Sequence, residues 1–318
     1  MTEADVRTLV EQHDLGALHA AHEFDTPGRP WRITTDTGDY MVRQRLLSGD
    51  PGELEFEHCL AAWLDARGFH VPVPVPMHDG QTWSAVDGEL LAIHHFLPGL
   101  HFVEGNAVQA RNAGAALATF HKLTSDFPGG KARRPPEHFR SLERNIAVVV
   151  EAYGDREEVR SLVADCRELD AQLPCSLPHA LLHNDFHPGN VLFTCDEFAA
   201  ALELDFCFWG PRLSDIAKGL LAFAFSFDEK PGEMAIAKFS TQCARSWLDG
   251  YSDHFPLEAT ELLLLPVALR HRTRADALFH LRDVGEQVGK WVEHEWDYAA
   301  QQVTLVDAHS QALVGAAF

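Results

Sequence analysis

Basic charge, paired cysteines and long apolar runs are all scarce in this chain, and each shortage removes a class of function. Lys and Arg number 26 against 47 Asp and Glu, a formal charge of −21. Such a field repels phosphate backbones and anionic lipid, so neither nucleic acid nor a membrane surface is expected as a partner. It is compatible with a cationic ligand, although acidic surfaces also serve solubility. No apolar run approaches the length of about 18 residues that a membrane-spanning helix needs. The opening MTEADVRTLVEQH is charged and lacks the apolar stretch of a signal peptide, so a cytoplasmic location is expected. The six cysteines form no CxxC pair and keep no regular spacing, which reads as reduced, mostly buried thiols. The 19 histidines include no HExxH pattern, so a zinc site is not expected.

What is there is a chain of 318 residues, 46% hydrophobic, enough for one large domain or two ordinary ones. Val6, Leu9 and Val10 recur at helical spacing in the first 15 or so residues. WRITTDTGDYMVRQRL alternates around a Thr-Gly-Asp turn and reads as a β-hairpin. In GELEFEHCLAAWLDARGF, a stripe of Leu54, Cys59, Leu60, Trp63 and Leu64 marks a helix, with Gly68 as its stop. VPVPVP must be extended, because proline disfavours helix in the residue before it. TWSAVDGELLAIHHFLPG reads as a second hairpin with an Asp-Gly turn. After Pro98-Gly99 the patterns turn helical: NAVQARNAGAALATFHKLT, SLERNIAVVVEAY, REEVRSLVADCRELDAQL and, near the end, PVALRHRTRADALFHLRDV. The basic face of that last segment reads as solvated, with a reach back over the cleft as the alternative. The expectation is an α+β chain in two lobes. Residues 1–98 form a small antiparallel β lobe with one helix, and residues 99–318 a larger, mainly helical lobe. The cleft between them is the default ligand site.

The densest chemistry sits in LLHNDFHPGNVLF, residues 181–193. Ala180, Leu181 and Leu182 read as a short buried strand, and Val191, Leu192 and Phe193 as another. The loop between them holds Asp185, His187, Pro188, Gly189 and Asn190. A second apolar strand, Ala200 to Leu204, ends in Asp205, and a strand–loop–strand arrangement would bring Asp185, Asn190 and Asp205 to one site. Three hard oxygen ligands suit Mg²⁺, and a nucleotide would complete its shell. The five-residue step from Asp185 to Asn190 matches the D-x-x-x-x-N spacing of kinase catalytic loops.

His183 through Asn190 resembles the H-G-D-x-H-x-x-N loop of the aminoglycoside phosphotransferase and choline kinase group, which homoserine kinases of the same protein-kinase-like fold share in a looser form. Glu203-Leu204-Asp205-Phe206 is similar to that group's I-D-F/W segment, and Ser214-Asp215-Ile216-Ala217 to its downstream D-L-A. The resemblance covers nearly the whole chain and implies a bilobal protein-kinase-like fold using ATP and Mg²⁺. It makes Asp185 the base or hydroxyl-orienting carboxylate, Asn190 and Asp205 the Mg²⁺ ligands, and His183 a brace for the loop. His187 orients the loop or touches substrate, and Asp215 caps a helix and ties the loop down. Asn184 stands where the group usually has Gly, though choline kinases often carry Asn. Arg43 falls where the small lobe usually carries a phosphate-binding Lys, with Arg45 as rival; its partner carboxylate is expected to be Glu57, with Glu55 the alternative. There is no GxGxxG, so phosphate contacts would come from backbone amides near Thr26–Arg29. Phe96 and Leu97, within the Phe96–Gly99 hinge, would meet the adenine edge.

The resemblance leaves three acceptor classes open. They are homoserine or another amino alcohol, an aminoglycoside or choline-like cation held by acidic residues such as Asp228, Glu229, Glu293 and Glu295, and a sugar or nucleoside. A monomer or homodimer is expected. A nucleotide-binding pseudokinase without turnover is the alternative class, and a metal-dependent hydrolase built on the His/Asp cluster a third. Of His94-His95, at least one is expected in the core or a cleft wall.

Overall fold

The computed structural model describes residues 2–25, 29–44, 50–86, 88–134, 142–154, 156–228, 236–288 and 293–314. The chain divides into two compact units: Met1–Leu100 with Ala199–Asp205, and His101–Phe198 with Phe206–Phe318. The sequence places a boundary at residues 98 and 99; the structure also returns a short later segment to the first unit.

The first unit begins with α1 (Glu3–Gln12). Thr2 and Asp5 form a reciprocal capping box that satisfies the free N–H groups at its start. Strands β1 (Leu18–Glu23), β2 (Trp31–Thr35), β3 (Gly38–Gln44), β4 (Ser84–Val86) and β5 (Glu89–His95) form one antiparallel sheet in the order β1-β2-β3-β5-β4. Because alternate strand residues share a face, Ile33, Tyr40, Val42, Leu91 and Ile93 all turn one way, where they enclose Val6, Leu9 and Val10 of α1. Between β3 and β4 runs α2 (Pro51–Asp65), started by the Asp50 cap and Pro51. Gly68, at φ +78°, ends that helical path in the left-handed conformation expected of a stop residue. The helix buries Leu54, His58, Leu60, Ala61 and Leu64, whereas Cys59 is exposed. Its inward face is thus rotated from the expected stripe. Cys175 and Cys195 are exposed as well, so only three of the six thiols are buried. The Val71–Pro76 run is extended: Val75 N–H donates to Ile93 at 2.8 Å, and His95 N–H to Val73 at 3.0 Å.

The second unit holds α3 (Ala107–Leu123), α4 (Leu142–Tyr153), α5 (Glu157–Asp170), β6 (His179–Leu182), β7 (Val191–Thr194), β8 (Glu197–Ala201) at its border, β9 (Phe208–Pro211) and α6 (Arg212–Ala224). After these come β10 (Phe225–Asp228), β11 (Ile236–Phe239), α7 (Thr241–His254), α8 (Ala259–Val288) and α9 (Glu293–Val314). Val149, Val159, Cys166, Leu278 and Leu281 join α4, α5 and α8 in one core. Helices α3 and α7 approach more closely than side chains allow. A Cβ on Gly114 would lie 2.0 Å from the Trp247 carbonyl oxygen, and one on Gly250 would lie 1.9 Å from that of Arg111. Both positions therefore require glycine.

Three features depart from the sequence expectation. The strand expected over Ala200–Leu204 ends at Ala201, since Glu203 takes φ +57° and leaves the extended path. Strand β6 pairs with β9, Leu181 opposite Trp209, while β7 pairs with β8. The β10–β11 ribbon interrupts a stretch expected to be all helix. Among the described residues no helix is long and apolar enough to cross a membrane.

Candidate active site

Strand β6 runs into the loop of residues 183–190, and the loop's first two backbone N–H groups are fastened by one carboxylate. Asp215, in the first turn of α6 and wholly buried, accepts from His183 N at 2.7 Å and from Asn184 N at 2.8 Å. It therefore ties the loop down but does not cap its helix, whose start has no side-chain cap. His121, from α3, meets the same carboxylate through Nε2 at 2.9 Å and the Tyr251 hydroxyl of α7 through Nδ1 at 2.8 Å. Burial pushes the Asp215 carboxyl up, but His121 and then His183 outweigh it and hold the group below its usual value. His183 is fully buried, its ring 5.5 Å from Phe120 and 5.3 Å from Phe186.

Asn184 takes φ +61°, a left-handed conformation that Asn and Gly tolerate best. That accounts for Asn at a position where related loops carry Gly. The turn presents Asp185, whose carboxylate is 28% exposed. Asn190 Nδ2 donates to the Asp185 carbonyl at 3.0 Å and to its Oδ2 at 2.8 Å. Both amide hydrogens are thereby turned to Asp185, leaving Oδ1, a hard carbonyl oxygen of the kind Mg²⁺ takes. Gly189 N–H donates to His187 Nδ1 at 3.0 Å. A neutral His187 then carries its proton on Nε2, 3.5 Å from Asp185 Oδ2. Burial alone would raise the Asp185 carboxyl, but His187 first, with Lys218 and His183 behind it, keeps it low. Asp185 is thus held ionised.

A cavity of about 500 Å³ opens beside this loop, bounded by His187, Pro188, Phe102, Lys218, Phe225 and Asp276, among others. Two of the acidic residues expected to favour a cation, Glu293 and Glu295, have side chains outside the described part, as does Asp228; Glu229 lies outside it altogether.

In the first unit, Arg43 of β3 donates to Glu203. Burial would lower the Arg43 pKa, but Glu203, Asp205 and Glu57 together raise it, so its charge is secure. Glu57 is therefore part of the field around Arg43, as are Glu203 and Asp205. His94 is buried on the same sheet face, 5.5 Å from the His58 ring, and burial followed by Arg43 holds it well below its usual pKa, uncharged. His95 is exposed. Phe96 N–H donates to Asp39 at 3.2 Å, and the Arg32 guanidinium lies 4.2 Å over its ring; Leu97 follows. Arg45 and residues 26–28 of the expected phosphate loop lie outside the described residues.

The family described as the phosphotransferase enzyme family matches residues 25–251. The chain belongs to that family. This phosphotransferase is 30% identical over 316 residues to a homoserine kinase of Phenylobacterium zucineum, covering 92% of this chain and 94% of the relative. It is 31% identical over 276 residues to a homoserine kinase of Rhizobium etli, covering 85% and 79%. Among solved structures it is similar to a microcompartment-associated aminopropanol kinase, with TM-score 0.75 and 16% identity over 98% of this chain and 99% of that one. A choline kinase of Cryptosporidium parvum gives TM-score 0.64 and 12% identity over 99% and 97%. The fold is protein-kinase-like. The phosphotransferase is a small-molecule kinase that transfers phosphate to a hydroxyl.

Sequence reasoning gave no role to His121, Glu203, Lys218, Arg272 or Asp276. Arg272 and Asp276 are spaced i, i+4, a signal of an ion pair on one helix face, but nothing in the spacing says that this face turns toward a cavity. Rather than forming a solvated basic face, α8 buries Thr273 and Arg274.

Proposed function

We propose that this phosphotransferase uses ATP and Mg²⁺ to phosphorylate the hydroxyl of a small amino alcohol of the homoserine class. The observation that carries the reading is the ionised Asp185, oriented by Asn190 and His187 in a loop whose His187 and Pro188 line a cavity large enough for such an acceptor. The relatives named homoserine kinase support the acceptor class. A solved amicoumacin kinase with AMP-PNP and Ca²⁺ supports a nucleotide and a divalent ion.

In this reading Asp185 accepts the hydroxyl proton as the oxygen bonds to the γ-phosphorus, and the bond to the bridging oxygen breaks to release ADP. Asn190 Oδ1 is one metal ligand, and the match of Glu203–Phe206 to the family segment gives Asp205 the role of another. Mg²⁺, when bound, neutralises charge on the phosphates. Arg43 supplies a fixed positive charge for phosphate, with Phe96 and Leu97 as the adenine-side backbone.

The test is an assay with ATP and Mg²⁺ over homoserine, other amino alcohols, sugars and aminoglycosides, scored by the phosphorylated product. Asp185→Ala should lower kcat by about a thousandfold while circular dichroism stays native. A folded Asp185→Ala protein with wild-type kcat would end this reading.

A further inference from the structure

The cavity beside the catalytic loop has an uneven charge layout that the transfer chemistry does not require. Asp276 of α8 is paired with Arg272 of the same helix, Nε to Oδ1 at 2.9 Å, and Arg272 also donates through Nη1 to Asn184 Oδ1 at 3.1 Å. Lys218 of α6 reaches the other oxygen of Asp276 only at 3.4 Å, longer than a good N–H···O bond. The single negative charge of Asp276 is therefore shared by two cations, and its stronger partner is Arg272. Lys218 is 22% exposed on the cavity wall, where its charge also acts on Asp185, and its long contact with Asp276 leaves room for a second anion to compete. Glu104 lines the same cavity and is exposed. Of the Lys, Asp and Glu side chains that line the space, Asp276 is already matched by Arg272 behind it, which leaves Lys218 positive and Glu104 negative. That balance suits a zwitterion and penalises a polycation or a quaternary amine, which Lys218 would repel.

We propose that Lys218 is the specificity-determining residue of this pocket: it receives a carboxylate of the acceptor, while Arg272 holds Asp276 aside. This rests on the amino-alcohol kinase reading and narrows its substrate to hydroxy amino acids, in preference to aminoglycosides or choline-like cations. The ammonium of the acceptor then faces Glu104, and the hydroxyl faces the loop that carries Asp185. Charge-assisted recognition of a carboxylate by Lys218 would act in the bound ground state and the transition state alike, so its signature is in KM.

Steady-state kinetics with ATP and Mg²⁺ should compare homoserine with homoserinamide, in which a neutral amide replaces the carboxylate. The proteins compared are the wild type, the neutral variants Lys218→Met and Lys218→Gln, and the charge-retaining Lys218→Arg. Both neutral variants should lower the homoserine-to-homoserinamide ratio of kcat/KM by about tenfold or more, through KM, and Lys218→Arg should recover most of it. A ratio that stays at the wild-type value, whatever happens to kcat, overturns the assignment. If the wild type phosphorylates neither compound, the functional reading fails separately, and calorimetric binding of homoserine then decides the role of Lys218. Binding weakened about tenfold in the neutral variants supports that role, whereas equal or absent binding overturns it.

Discussion

Replacing Asp215 by asparagine keeps the shape of the side chain and removes one acceptor and the charge. The carboxylate is wholly buried and takes three hydrogen bonds, from His183 N, Asn184 N and His121 Nε2. An amide oxygen in the Oδ2 place retains two of these, from His183 and His121. The amide nitrogen then confronts the Asn184 N–H, donor against donor. One charge-assisted bond is lost, worth about 2 kcal/mol, and a buried donor is left unpaired at a similar cost; relief from burying a charge offsets part, for a net loss of about 3 kcal/mol. The carboxyl is held below its ordinary pKa, so its stabilisation is complete above the unfolded-state value of about 3.9 and fades as pH falls through the lower folded value. The gap between wild type and Asp215→Asn should therefore be widest near neutrality and close in acid. Urea denaturation followed by tryptophan fluorescence measures it, since Trp247 stacks on Tyr251, the far end of the network, with ring centroids 5.8 Å apart. Hydrogen exchange at the His183 and Asn184 amides should accelerate, and kcat should drop by about a hundredfold as the loop loses its register. Unchanged exchange at those two amides, with stability within about 1 kcal/mol of wild type at neutral pH, would refute the reasoning.

Gly114→Ala should destabilise by about 3 kcal/mol, because the new methyl meets the rigid backbone of α7 at the Trp247 carbonyl and the Tyr251 nitrogen; its denaturation midpoint checks this. Arg212 and Glu261 form a buried pair, with Nε to Oε1 at 2.8 Å. Arg212→Met should cost about 4 kcal/mol by stranding Glu261, and adding Glu261→Leu should recover much of it in the same denaturation experiment.

The sequence made the local geometry of the 183–190 loop legible because its contacts are local. Asp185, His187 and Asn190 meet within six residues, and the Asn190–Asp185 bonds follow from that spacing. The sheet around Ile33, Val42 and Ile93 was legible for a similar reason, since alternation with two turns leaves few other arrangements. What escaped was non-local. Arg43 and Glu203 are 160 positions apart, and only the tertiary fold brings them together. Strands β9 and β10 are four residues each, too short for a period to register. The inward turn of α8 escaped because a helix with polar residues on several faces does not say which of them its neighbours will cover.

The glycine seam between α3 and α7 bears on how change elsewhere reaches the catalytic loop. Two helices whose backbones touch have no cushion of rotamers with which to absorb a displacement, so they shift as a single plank. His121 stands on one of them and Tyr251 on the other, and both feel any tilt of α7 at once. Mutational drift on the outer side of α7 would thus register as altered catalysis before it registered as lost stability.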